Sequence, residues 1–225
     1  MVAPYLGSPP WTYSPPGYLS VEIAPGEVLA RVFDHEHAAA VGYSPLDFNH
    51  TVPARGTGGR FDPTKRDRFG YLYFGQTRSG ALVPIHERLL QRVLFDADRG
   101  AFVVTRAEVE TKSLIYFTPV RPLTLVDISD ARGLSRFGAT TDLVTSRDYQ
   151  RTRPWARYIR ARAPDAQGLA WTSRAVGDGM AIVVFEDRAG HAPQFAPLGP
   201  PLRLLDGGLG ILIAVLAECQ AVLTP

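Results

Sequence analysis

The stretch GTGGRFDPTKRDRFGYLYFG, residues 56–75, sets three glycines just ahead of Arg60 and ends in an aromatic strand with Tyr71 and Tyr73 two residues apart. Glycine lets backbone come close to a bound group, and the arginine fork grips a phosphate or carboxylate through two parallel hydrogen bonds. Together they point to a pocket for an anion that carries a ring. Arg31 lies in GEVLARVFD, whose alternation predicts a strand with Arg31 on the same face as Leu29 and Phe33. A buried guanidinium needs an anionic partner, so Arg31 is either half of a structural ion pair or part of a ligand site, and spacing does not choose between them. Glu87, in IHERLL, supplies a carboxylate, and Ser173, in GLAWTSR, a hydroxyl.

The elements that must position these groups are legible in outline. Tyr71 and Tyr73 point to one side of a strand, an arrangement that also fills cores. The segment SGALVPIHERLLQRVLFDA, residues 79–97, predicts a helix starting near Ser79, with Pro84 suited to a first turn. Glu87 then falls within about one turn of the helix N-terminus, whose partial positive charge favours an ionised carboxylate. Alternation predicts short strands at 100–109, 113–118, 123–129, 168–174 and 180–188. Residues 146–164 carry Tyr149, Trp155, Tyr158 and Ile159 at near-helical spacing, which predicts an amphipathic helix across the sheet with its arginines on a solvated face. Residues 210–223 predict an apolar helix that packs on the domain or pairs with a second subunit. Without strict βαβ alternation the class is α+β, and no glycine-rich strand-to-helix fingerprint supports a Rossmann site.

A chain of 225 residues can bury one substantial core. The expected organisation is a proline- and aromatic-rich arm over residues 1–20, packed on a single domain over 21–225, because Trp11, Tyr13 and Tyr18 are costly to leave in water. A net charge of +2 with 20% charged residues argues against a broad nucleic-acid-binding field. The one cysteine, Cys219, excludes an internal disulfide and a cysteine metal site, and the five histidines lack metal-ligand spacing, so no metal is expected. The N-terminus lacks the basic-then-apolar order of a signal peptide, and the apolar run at the other end is too short for a bilayer span. The expectation is a soluble cytoplasmic protein.

Arg31, Arg60, Tyr73, Glu87 and Ser173, in this order and in the settings LARVF, GGRFDP with YLYFG, IHERLL and GLAWTSR preceded by YQRTRPWARYIR, resemble the RES family. That family is named for its arginine, glutamate and serine and includes toxins of bacterial toxin–antitoxin pairs. The resemblance implies an ADP-ribosyltransferase-like mixed fold of short strands around an NAD cleft, and cleavage of NAD+ as substrate, not cofactor, by a glycohydrolase or phosphorylase. It implies Glu87, Arg60 and Ser173 as catalytic residues, with Arg31, Arg60, Tyr73 and Ser173 around the dinucleotide. Phosphate is then a possible co-substrate, an antitoxin protein a possible partner and a homodimer a possible assembly, without nucleic acid or membrane. Alternatives are a non-catalytic nucleotide-binding module, ADP-ribosyl transfer to a protein, or a structural pairing of Arg31 with Glu87 in which Ser173 caps a turn. The chain departs from the family pattern at one point. Glu87 follows Tyr73 by fourteen residues where the pattern has about eleven, which puts Pro84 in the expected place; a small insertion within GALVPIHE, nearly one helical turn, restores the match.

Overall fold

The computed structural model describes residues 6–42, 44–54, 57–76, 82–90, 94–98, 100–173, 179–189 and 194–225. Along the chain these form β1 (Ser20–Ile23), β2 (Leu29–Asp34), α1 (His35–Val41), β3 (Tyr71–Gln76), α2 (Leu82–Leu89), β4 (Leu94–Asp96), β5 (Ala101–Thr105), α3 (Arg106–Glu110), β6 (Lys112–Pro119) and β7 (Leu123–Asp127). There follow α4 (Ala131–Arg136), α5 (Asp142–Thr145), α6 (Tyr149–Arg162), β8 (Gly168–Thr172), β9 (Met180–Phe185), α7 (Glu186–Ala189), β10 (Phe195–Pro197), β11 (Leu202–Arg203), α8 (Leu209–Glu218) and β12 (Ala221–Thr224).

A nine-stranded mixed sheet runs in the order β1-β7-β8-β9-β3-β2-β6-β10, with β11 also on β6, and a smaller sheet runs β12-β5-β4. The class is α+β, as expected. Alternation along the central strands assigns their two faces. On β9, Ala181, Val183 and Phe185 join one core cluster while Ile182 and Val184 join another. Tyr71 lies with the first cluster, packed by half-buried Tyr73, whereas Leu72 and Phe74 lie with the second. The first face is covered by α6 through Trp155, Ala156, Tyr158 and Ile159. A third cluster packs Ala30 and Val32 of β2 against Ile85 and Leu89 of α2 and Leu212, Val215 and Leu216 of α8.

Several expected boundaries shift. The helix predicted over 79–97 is α2, which ends at Leu89, and Leu94–Asp96 is the strand β4. Its predicted start near Ser79 lies outside the described residues. The strand predicted through 109 turns helical after Thr105, whose hydroxyl and Glu108 form a reciprocal capping box. The apolar helix stops at Glu218, and Ala221–Thr224 pairs in parallel with β5 instead. Short apolar runs are ambiguous between helix and strand until a neighbour supplies or withholds a ladder. The arm is held by α6, where Trp155 Nε1 donates to Gly7 O at 3.0 Å and Tyr158 Oη to Tyr13 O at 3.2 Å. No helix among the described residues is long and apolar enough to cross a membrane.

Candidate functional site

β2 and β3 are each six residues long, yet they share the single ladder pair Ala30↔Gly75. The ladder stops there, so the sheet opens on the side of Val32 and Tyr73. Helix α2 spans both strands at this point, and Gly75 is what lets it lie so low: a Cβ there would sit 2.7 Å from Val83 Cβ and 3.0 Å from Pro84 Cδ. Pro84 is the third residue of α2 and Glu87 the sixth. Glu87 is therefore beyond the first turn, where the terminal partial charge has faded, and that expected support for its charge is corrected.

Ser173 directly follows β8 and is 2% exposed, and its Oγ donates to Glu87 Oε1 at 2.7 Å. The serine amide donates to Gly179 O at 2.8 Å. Of Pro84 and Glu87, it is Glu87 that reaches the serine, while Pro84 packs on Gly75. Among the described residues no cation forms an ion pair with Glu87, so the structural bridge from Arg31 to Glu87 is not what the fold builds. One carboxylate oxygen is oriented by the serine, and the group as a whole is half-buried.

Arg31 is half-buried, and its Nη1 donates to Pro45 O at 2.6 Å. Burial and the neighbouring Arg88 guanidinium lower its pKa to about 10, partly offset by Tyr71 and Asp47. It remains charged at neutral pH. Arg88, one residue after Glu87 and exposed, also acts electrostatically on Asp62 and Tyr71. The Arg31 and Arg88 guanidinium groups are thus near enough to each other and to Tyr71 to interact electrostatically. Arginine is so common in this chain that Arg88 does not stand out in the sequence; its adjacency to Glu87 is the signal that marks it.

The glycine-rich loop is built differently from the expectation. Arg60 is 5% exposed, its Nη1 donates to Leu143 O at 2.9 Å and Ser146 O at 2.8 Å, and its guanidinium lies 5.1 Å from the Tyr149 ring centre. Gly58 has φ +84°, and a Cβ on it would strike Asp62 Oδ2 and come within 2.7 Å of Arg153 Nη2 and Pro53 Cβ. A Cβ on Gly59 would come within 2.9 Å of Asp62 Oδ1 and 3.0 Å of the Tyr73 hydroxyl. At these two positions the bare backbone makes room for the protein's own Asp62, Tyr73 and Arg153, where the sequence reading foresaw a ligand; Gly56 lies outside the described residues.

Asp62, 1% exposed, accepts from Gly59 N at 2.5 Å, and its Oδ1 is without a hydrogen-bond partner among the described groups. Burial raises its pKa, against the lowering effect of Gly59 N–H, Tyr73 and Arg153. Tyr73 accepts from Phe61 N at 2.8 Å, and burial together with the Asp62 charge holds its phenol well above the usual range. Its ring meets Tyr71 edge to face at 5.6 Å. Asp62 was missed although GGRFDP displays it, because Asp-Pro after glycines reads as an ordinary turn. The arginines of α6 are likewise not one solvated face, since Arg153 and Arg160 are both 7% exposed. Arg160 lies 3.7 Å from the Phe69 ring centre and 2.7 Å from Asp187 Oδ2. Helical spacing alone cannot tell a solvated arginine from one committed to carbonyls and rings.

Among the described residues no group of three His, Cys, Asp or Glu side chains could hold a metal ion. The structure orients one carboxylate through Ser173 and gathers Arg31 and Arg88 near Tyr71, groups that suit a ligand bearing phosphate and a sugar or ring.

Comparison with solved structures finds a chain in the crystal structure of the M. tuberculosis MbcT–MbcA toxin–antitoxin complex, with TM-score 0.56, 16% identity, and coverage of 84% of this chain and 88% of that one. At that identity the likeness is one of fold. No curated protein matches the sequence. The model of the RES domain matches residues 28–205, a span that takes in β2, the glycine loop, α2 and Ser173, and the chain belongs to the RES domain family.

Proposed function

We propose that this protein cleaves NAD+ at the bond between nicotinamide and ribose and acts as the toxin of a toxin–antitoxin pair. The observation that carries the proposal is the hydrogen bond from Ser173 to Glu87, which joins residues 86 positions apart, with Arg88 next to Glu87 on α2. Nicotinamide in NAD+ already bears a positive charge. When the C1–N bond breaks, the electron pair returns to the ring nitrogen and a neutral ring departs, so no general acid is required. The ribose becomes oxocarbenium-like, and the Glu87 carboxylate, held by Ser173, stabilises that charge. Water or phosphate then bonds to C1 and loses its proton to solvent. Arg31 and Arg88 attract the diphosphate, Tyr73 presents its ring to the nicotinamide or ribose, and Arg60, whose Nη1 is held by two carbonyls, places the loop beside them. A protein antitoxin would silence the site by covering it, in keeping with the toxin–antitoxin complex that supplied the structural likeness.

Purified protein incubated with NAD+, with and without phosphate, is expected to release nicotinamide. Free ADP-ribose as the other product marks hydrolysis, and its 1-phosphate marks phosphorolysis. Glu87→Gln keeps size and hydrogen bonding but removes the charge, and should reduce release by about 10²–10³-fold. Undiminished release from that variant removes Glu87 from the chemistry, and no release from the wild type overturns the activity.

A further inference from the structure

Loop 57–62 hangs on α6. Arg153 Nη2 donates to Thr57 O, Arg153 Nε donates to Gly59 O at 3.2 Å, and Thr152 Oγ1 donates to Arg60 O at 2.5 Å. On the inner side Asp62 Oδ2 accepts from Gly59 N at 2.5 Å and lies 4.0 Å from Arg153 Nη2, while Phe61 N donates to the Tyr73 hydroxyl at 2.8 Å. Arg153 is 7% exposed, so its fork is directed wholly inward, at two carbonyls and one carboxylate. A planar guanidinium with fixed donors can bond both carbonyls while setting its charge against the carboxylate, and a lysine ammonium cannot reproduce that geometry.

We infer that Arg153 is a positioning residue: it clamps loop 57–62 to α6 in the one shape that, through the bond from Phe61 N to its hydroxyl, holds Tyr73 for the NAD+ site. The inference rests on the function proposed above for its catalytic consequence, and on the loop geometry for its structural one. Removing the guanidinium leaves Thr57 O and Gly59 O without their buried donor and Asp62 without its nearest positive charge. The loop then samples other shapes while Glu87, on α2, and Ser173, just after β8, stay in place. The defect falls on substrate binding and spares the chemical step.

The test uses the full chain with Arg153→Met and Arg153→Lys. Amide exchange at Gly59 and Phe61 is compared with exchange in β8 and β9, and KM and kcat are measured for nicotinamide release from NAD+. Arg153→Met should speed loop exchange by about tenfold or more while β8 and β9 are unchanged, and raise KM about tenfold with kcat within about threefold. Arg153→Lys should recover less than half of the loss. Loop exchange that stays at the wild-type rate overturns the proposal, and so does a loosened loop with unaltered KM. Should the wild type release no nicotinamide, the activity proposed above fails, and loop exchange alone decides the clamp. Should Arg153→Met not fold, the isosteric Asp62→Asn replaces it: faster loop exchange supports the clamp, and unchanged exchange overturns it.

Discussion

Ser173 and Glu87 show how much one hydroxyl can be asked to do. Its 2.7 Å hydrogen bond fixes the rotamer of a half-buried carboxylate that has no ion-pair partner among the described residues. Ser173→Ala should therefore lower kcat by about 10–10²-fold, less than the loss in Glu87→Gln, because it disturbs orientation and leaves the charge. Thermal midpoints of both variants should stay close to wild type. Asp34 shows residue chemistry that serves stability instead. It caps α1 by accepting from His37 N at 3.0 Å and also receives Lys112 Nζ at 2.7 Å and Thr111 Oγ1 at 2.9 Å. Burial opposes its ionisation, but these hydrogen bonds outweigh it and hold the carboxyl below the usual range. A depressed folded-state pKa gives stability that is present above the unfolded value and lost as pH falls. Asp34→Ala should cost about 1 kcal/mol at pH 7. The gap from wild type, followed by urea unfolding, should narrow below about pH 4.

At the scale of elements, α6 is both a core helix and a clamp. Trp155, Ala156, Tyr158 and Ile159 bury one side against the sheet, and Thr152 and Arg153 on its first turns hold the glycine loop. Gly58→Ala tests how tightly that loop is packed. The added methyl meets Asp62 and Arg153 in a left-handed conformation, so the variant should lose about 2–3 kcal/mol in thermal or urea unfolding. Most strands were legible because inward-facing apolar residues recur every second position, as Ala181, Val183 and Phe185 do. Less was legible at the ends of elements. Leu94–Asp96 and Ala221–Thr224 continue apolar runs that look helical, and they are strands because β5 offers each of them a free edge.

For the whole molecule, the arm and the site are linked through α6. Trp155, Tyr158 and Arg162 donate to the carbonyls of Gly7, Tyr13 and Trp11, and Leu6 is buried in the same cluster as Trp155. Deleting residues 1–13 should remove about 3 kcal/mol, near 1 kcal/mol for each of the three α6 side chains bonded to the arm. For a chain of this size that is a fall of about 6–12 °C in Tm. Ligand binding should act in the opposite direction. NAD+ at a hundred times its Kd, added to the Glu87→Gln variant so that it is not consumed, should raise Tm by about 5–10 °C. An unchanged midpoint would mean that no dinucleotide binds.

The α+β class, most strands and the family could be read from the chain because each depends on nearest neighbours: alternation along a strand and the setting of a motif. Which side chains meet depends on contacts between residues far apart. Ser173 and Glu87, 86 positions apart, converge because β8 and α2 are brought to the same opening, and Arg153 reaches Gly59 across 94 positions. The glycines ahead of Arg60 signalled a close approach, and packing chose Asp62, Tyr73 and Arg153 as what approaches. No local pattern carries that choice, since a buried fork satisfied by carbonyls and one open to a ligand have the same sequence around them.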